Sequence, residues 1–315
     1  MDSRTRQHDR LRRALLSTFS CIVLLYGAKG YARPDMKPLG PNIADKGSAF
    51  YHFRVEQFDS ADGKRHYKVW TAIPNKKPAP SGYPVLYMLD GNAVMGRLSE
   101  MLLQQLAEKT PPVIIAIGYQ TDLPFDANSR AWDYTPVREA KDEKAAENGR
   151  NRREMGGSTG FRQLLEQQIA AKAEQGININ PDRRGLWGHS YGGLFVLDSW
   201  LSSSFFRSYY SASPSLGQGY LPLLNRLTAV DKTRYCDKHL FLMEGTASPG
   251  KNVQTQAPDI LPRIHDVVSV LQGDGIAVEY WDYPGLTHGP MFDASFNSAL
   301  RDMSIREADR SACQK

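Results

Sequence analysis

Residues Gly188-His189-Ser190-Tyr191-Gly192 place a serine between two glycines at the spacing glycine-x-serine-x-glycine. In this frame the serine sits on a sharp, strained strand-to-helix turn that lifts its hydroxyl clear of the backbone. The N–H of the next residue, Tyr191, and the start of the following helix then face any oxyanion that forms at the serine. The chemistry implied is acyl transfer through a covalent serine ester. A serine hydroxyl is a poor nucleophile until a base takes its proton, so a histidine is required. Three histidines follow Ser190: His239, His265 and His288. His239 opens an apolar run that reads as a strand, and His265 lies inside a helical pattern. His288 lies in the loop Pro284-Gly285-Leu286-Thr287-His288-Gly289-Pro290, after the last strand-like segment, where it can reach the turn. His288 is therefore the expected general base. A second oxyanion donor is expected from the loop Asp90-Gly91-Asn92, first from the Asn92 backbone N–H and next from Gly91.

The third member of a triad is harder to place. It should follow the run Leu240 to Met243, where the chain reads Glu244-Gly245-Thr246-Ala247-Ser248-Pro249-Gly250. Glu244 comes early, Asp259 begins a helix and Asp282 lies on the last strand. None is well placed, so the expected machinery is a Ser190–His288 dyad, with the imidazole oriented by a backbone carbonyl or an uncharged side chain. The third member chiefly sets tautomer and orientation, which leaves room for such a substitute.

The elements that must position these residues follow from hydrophobic periodicity. Phe50 to Phe58 and His66 to Ile73 alternate apolar and polar residues across a turn-like Asp59 to Lys64, the pattern of an antiparallel pair. Val85 to Leu89 and Val113 to Ile117 are continuous apolar runs, as in strands buried on both faces. Ala93 to Glu108 reads as one helix with Val94, Leu98, Met101, Leu102 and Leu106 on its buried face. Tyr119 to Arg138 reads as a loop, and Ala140 to Gly157, with Arg150, Arg152 and Arg153, as a polar surface loop or a cationic lid. Phe161 to Gln175 is a helix closed by Gly176. Beyond the serine helix come strands at Ser208 to Ser213, His239 to Met243 and Ile276 to Tyr283, with helices at Pro258 to Leu271 and Met291 to Met303. Alternating strands and helices from residue 85 onward predict an α/β fold with a mostly parallel sheet covered on both faces. One domain over residues 33–315 accommodates them.

Residues 1–32 read as a secretory signal or, alternatively, an uncleaved inner-membrane anchor. Five arginines precede an apolar run from Ala14 to Ala28, and Gly30 and Ala32 supply small residues at a cleavage site. The run is short for a membrane span of ~20 residues. This segment carries five Arg and one Lys against two Asp, or +4 of the chain's +5. The basic balance thus belongs to the leader and gives no argument for nucleic-acid binding. Without the leader, Cys236 and Cys313 remain, a plausible disulfide pair in an oxidising compartment.

Three stretches together, Gly188 to Trp200, Met243 to Ser248 and Pro284 to Phe292, resemble the periplasmic trilactone esterases of catecholate siderophores, in the esterase family of the α/β-hydrolases. The resemblance runs over most of the chain after residue 40. It implies the α/β-hydrolase fold, Ser190 and His288 as the catalytic pair, no carboxylate partner and no cofactor or metal of the enzyme's own. It implies a small-molecule siderophore substrate of the enterobactin or salmochelin class, three serine esters carrying dihydroxybenzoyl amides. Tyr119, Trp132 and Tyr134 could then stack on catechol rings while Arg130 meets catecholate or ester oxygens. A general or feruloyl-type carboxylesterase, or a siderophore-binding protein on a hydrolase scaffold, are the rival expectations.

Overall fold

The computed structural model describes residues 35–138, 153–217, 219–247 and 260–307. The leader, Cys21, Arg150, Arg152, Asp259 and Cys313 lie outside them. After a short helix α1 (Ile43–Lys46) come β1 (Tyr51–Asp59), β2 (His66–Pro74) and β3 (Tyr83–Met88). Helices α2 (Gly91–Arg97) and α3 (Glu100–Ala107) lead to β4 (Val113–Tyr119) and α4 (Ala127–Asp133). A helical stretch follows, α5 (Ser158–Leu164), a π turn (Leu165–Ile169) and α6 (Ala170–Ala173), then β5 (Ile179–His189) and α7 (Tyr191–Ser202). The chain continues through β6 (Ser208–Ala212), α8 (Pro222–Thr228), β7 (His239–Gly245), α9 (Ile260–Gly273), β8 (Val278–Tyr283) and α10 (Met291–Ile305).

The eight strands form one sheet in the order β1-β2-β4-β3-β5-β6-β7-β8. β1 and β2 pair antiparallel, β2 runs antiparallel to β4, and every pairing from β4 to β8 is parallel. Successive residues of a strand face opposite sides, so the central strands split their apolar runs between two cores. Val85, Tyr87, Ile115, Ile117 and Leu186 face the core under α5, α7, α8 and α9. Leu86, Met88, Ile114, Ala116 and Trp187 face the core under α2, α3 and α10. This is the α/β-hydrolase fold, as the motif and the alternation of elements predict.

Two expectations are corrected. The helix expected over Ala93 to Glu108 is two helices. Leu98 takes an extended conformation (φ −64°, ψ 120°) and the Ser99 side chain accepts from the Leu102 N–H, capping α3. The break resets the helical phase and leaves Met101 70% exposed instead of buried. The segment Tyr119 to Arg138 is not all loop: Asp126 caps α4 by accepting from the N–H groups of Asn128 and Ser129.

Candidate active site

Among the described residues, the non-glycine residues with positive φ are Asp90 (54°), Ser190 (62°) and Ser213 (41°). They follow the C-terminal ends of β3, β5 and β6, which are neighbours in the sheet. Such backbone is costly, about 1–3 kcal/mol each, and persists only where the surroundings hold it. Here they hold it closely. The Ser190 N–H donates to the Ala212 carbonyl (2.9 Å), the Ser213 N–H to Met243 (2.9 Å) and the Ser215 N–H to the Ser190 carbonyl (3.1 Å). Ser190 (ψ −115°) caps α7, so the hydroxyl stands at the strand end with the first N–H groups of the helix beside it.

The two glycines of the motif do different jobs. A Cβ on Gly188 would lie 2.4 Å from the Gly192 carbonyl oxygen, whereas one on Gly192 would meet its nearest neighbour, Leu89, at an ordinary 3.5 Å. The tight approach after the serine falls instead on Gly193, where a Cβ would lie 2.7 Å from the Ala212 carbonyl. The motif spacing pointed at Gly192; only the Gly192-Gly193 doublet hinted at its neighbour.

His288 comes to the site on a loop stapled to the end of β7. The Ala247 N–H donates to Leu286 (3.1 Å) and the Thr246 N–H to Tyr283 (3.3 Å). His189, the residue before Ser190, donates from Nε2 to the His288 carbonyl (2.8 Å), and the two rings lie 4.6 Å apart. One hydrogen bond therefore ties the histidine loop to the residue adjoining Ser190. Burial pushes the His288 imidazole down from 6.5 to about 4 and that of His189 to about 3, so both are neutral near pH 7. A neutral imidazole is the form a base needs. His239 pairs with Glu279 at 3.0 Å and the His265 ring packs at a tilt against Tyr280, 4.3 Å between centres, so each is engaged elsewhere.

Two of the three candidate carboxylates, Glu244 and Asp282, lie among the described residues. Glu244 is 3% exposed. Burial raises it to about 8, with the Ser213 side chain acting in the opposite direction, which keeps it mostly protonated at neutral pH. Asp282 is exposed on the edge strand β8, opposite Glu244 in register.

The loop after β3 is built differently from expectation. Asn92 already lies in α2, and its side chain is fully used: Oδ1 accepts from the Tyr119 N–H (2.8 Å), while Nδ2 donates to the carbonyls of Tyr119 (3.0 Å) and Thr121 (2.8 Å). It staples the ends of β3 and β4, leaving only backbone N–H groups there for a ligand. Arg130, expected as a substrate contact, is engaged within the protein. Its guanidinium makes a bidentate pair with Asp90 (2.8 and 2.8 Å) and lies over the rings of Phe125, Tyr134 and Tyr191. It therefore anchors the β3–α2 loop against the residue after Ser190. Tyr134 and Tyr119 are corrected as stacking platforms, because they are 0% and 3% exposed. The Asp90 N–H donates to the Tyr134 hydroxyl (3.1 Å), and the Tyr119 hydroxyl donates to Asp133 (3.0 Å). Trp132 is partly exposed, with Arg65 5.4 Å over its ring and Gly157 packed against the indole.

The Asp90–Arg130 pair gives a stability prediction. Arg130→Met would leave a carboxylate with a 1% exposed side chain unpaired. The expected loss is roughly 3–5 kcal/mol, the usual cost of breaking a buried pair from one side. Urea denaturation checks it; a midpoint unchanged from wild type would mean Asp90 finds water or another donor.

Among the described residues no helix is long and apolar enough to cross a membrane. Comparison with known proteins bears on the rest. Residues 60–218 match the family model described as "Putative esterase". The chain is 59% identical over 312 residues to the apo-salmochelin esterase of Escherichia coli O6:H1, covering 99% of this chain and 98% of that one. It is 30% identical over 255 residues to the ferri-bacillibactin esterase BesA of Bacillus subtilis, covering 78% and 88%. A solved structure described as "Enterobactin and Salmochelin Hydrolase IroE" superposes with a TM-score of 0.74 at 61% identity, covering 84% of this chain and 99% of that one. A serine on a strained turn at the end of β5, a histidine loop hydrogen-bonded to the residue before it and 59% identity over nearly the full length to a known esterase agree on one assignment: the chain belongs to the "Putative esterase" family and is a carboxylic ester hydrolase.

Proposed function

We propose that the protein hydrolyses the trilactone ester bonds of catecholate siderophores of the enterobactin and salmochelin class, linearising the macrocycle through Ser190 and His288. The observation that carries the mechanism is Ser190 itself, held at φ 62° with the His288 loop hydrogen-bonded to its neighbour His189. The substrate class rests on what the relatives, at 59% and 61% identity, are named for.

In the proposed route His288 takes the Ser190 proton as Oγ attacks an ester carbonyl. The carbonyl oxygen, now anionic, is met by the N–H of Tyr191 and a backbone N–H of the β3–α2 loop, Asn92 first. Collapse breaks the ester C–O bond, and His288 returns the proton to the departing seryl oxygen. Water, deprotonated by His288, then releases the acyl group as a carboxylate and frees Ser190. In this reading neither Glu244 nor Asp282 stabilises the imidazolium formed on the way; Asp259 lies outside the described residues. Acylation should be slower than in a full triad, which favours release of a linear product before every ester is cut. Ferric iron would hold the three catecholamide arms on one side and add negative charge, so the iron-free ligand should fit better at Ser190.

The proposed compartment is the periplasm. The leader pattern supports it, and so does the disulfide at Cys236. We take its partner to be Cys313, since Cys21 would leave with a cleaved leader.

Chromatography of products from enterobactin incubated with the mature protein, with and without ferric iron, tests the function. Linear trimer appearing faster from the iron-free ligand is expected; turnover of simple aryl esters alone would favour a general carboxylesterase. The dyad makes its own prediction. Glu244→Gln and Asp282→Asn should each leave kcat within about tenfold of wild type. An ~10⁴-fold loss in either, the size seen when a triad acid is neutralised, would establish a triad instead.

A further inference from the structure

Ser190 does not stand alone at the end of β5. The hydroxyl of Ser215 lies 3.0 Å from its Oγ. Ser215 arrives there on a loop that leaves β6 through Ser213, whose φ of 41° few side chains adopt. That loop is clamped on every side. Its backbone is tied to Ser190 in both directions, through Ala212 and through the Ser215 N–H, and to β7 through Met243. Gly193 at the start of α7 lets the loop approach, since a Cβ there would also meet Pro214 Cα at 3.1 Å. Ser213 and Pro214 are buried and Ser215 is partly open. Strain of this kind, held from several directions, is found where a particular side chain must be delivered to a particular place.

We propose that Ser215 is a further catalytic residue of the ester hydrolysis, holding the Ser190 hydroxyl in its attacking rotamer and donating a hydrogen bond to Oγ as that oxygen loses its proton. The inference rests on Ser190 being the nucleophile. Ser190 has one proton, and attack requires it to point at the base. In the reactive arrangement Ser215 is therefore the donor of the pair and Ser190 Oγ the acceptor. As the proton moves to His288, charge gathers on Oγ and the bond becomes charge-assisted, shorter and stronger. In the acyl-enzyme Oγ is an ester oxygen, a weak acceptor, and the bond slackens. It tightens again when Oγ departs in deacylation. An interaction stronger in the two transition states than in the states between them lowers both barriers. No bond to Ser215 forms or breaks, and its own proton stays on it. Where a triad acid stabilises the imidazolium, this hydroxyl stabilises the other end of the same proton transfer.

The decisive comparison is Ser215→Thr against Ser215→Val, nearly equal in shape and differing by the hydroxyl, with Ser215→Ala beside them. Two readouts are taken on purified protein: the second-order rate of Ser190 labelling by a fluorophosphonate probe, and kcat and KM on enterobactin. Val and Ala should lower both the labelling rate and kcat by about 10–100-fold, with KM within twofold, since one donor to a developing oxyanion is worth up to ~10²–10³. Thr should keep most of the wild-type value. Labelling and kcat within twofold of wild type in Val or Ala would overturn the proposal. So would equal losses in Thr and Val, which would make the position a packing requirement. If the wild-type protein does not label, the assignment of Ser190 fails and this inference with it; if the wild type labels and Val labels equally, only this inference fails.

Discussion

Ser190→Ala is expected to lower kcat on enterobactin by about 10⁴–10⁶-fold while leaving the fold intact. Removing the nucleophile closes the covalent route, and what survives comes from the oxyanion donors and binding alone. KM should change little, because the lost interaction belongs to the transition state. Stability should also change little. The strain at Ser190 is in the backbone, at φ 62° and ψ −115°, and alanine keeps the Cβ that makes it costly. Glycine at the same position removes that Cβ, so Ser190→Gly should be equally inactive yet more stable than Ser190→Ala by about 1 kcal/mol. Denaturant midpoints and initial rates on the two variants check both statements. A Ser190→Ala enzyme retaining a tenth of wild-type kcat would show that another group attacks the ester.

His288 carries the second large effect. His288→Ala should cost about 10³–10⁴-fold or more in kcat, since a serine without a base is mostly un-ionised. The wild-type pH profile adds a sharper reading. The acid limb of kcat/KM reports the base in the free enzyme. Burial lowers His288 from 6.5 to about 4, so activity should stay level from neutrality down to about pH 5 and fall only below that. An acid limb near 6.5 would place the imidazole in water and contradict the site. Stability moves with the same groups. A histidine whose folded pKa is depressed contributes fully above its unfolded value and loses that contribution as pH falls toward the folded one. His189 and His288 should therefore destabilise the fold progressively from about pH 6.5 down to about 4 and 3. Initial rates must be taken before unfolding begins, and a denaturant series over the same range separates the two limbs.

The stretches that could be read from sequence are those whose signal is local. The glycine-serine-glycine spacing marks the strand-to-helix turn because the turn is made by the residues that name it. Val85 to Leu89 and Val113 to Ile117 declare themselves as buried strands because burial on both faces demands uninterrupted apolar residues. The loop of His288 could be picked out by elimination, since a base for the serine must lie on a loop at the same edge of the sheet. The break at Leu98 was also written locally, in the capping serine at 99, but the apolar spacing across it was close enough to helical to hide it.

What only the tertiary structure decided is which polar side chains face each other across the sheet edge. Arg130 and Asp90 are 40 residues apart, Ser215 and Ser190 25 apart, and His288 and His189 99 apart. Periodicity reports the face a residue takes within its own element; it does not report the partner brought to it by a different strand. Arg130, Tyr119 and Tyr134 lie in a stretch rich in aromatic and charged residues, and composition there could not distinguish a ligand platform from a buried ion pair with its aromatic walls. Gly192 and Gly193 look alike in sequence, yet only the second meets the loop after β6, because closeness of approach is a property of two chain segments. The environment of Glu244 is decided in the same terms. Glu244 is near the site, but the packing that brings it there removes the water that would keep it charged.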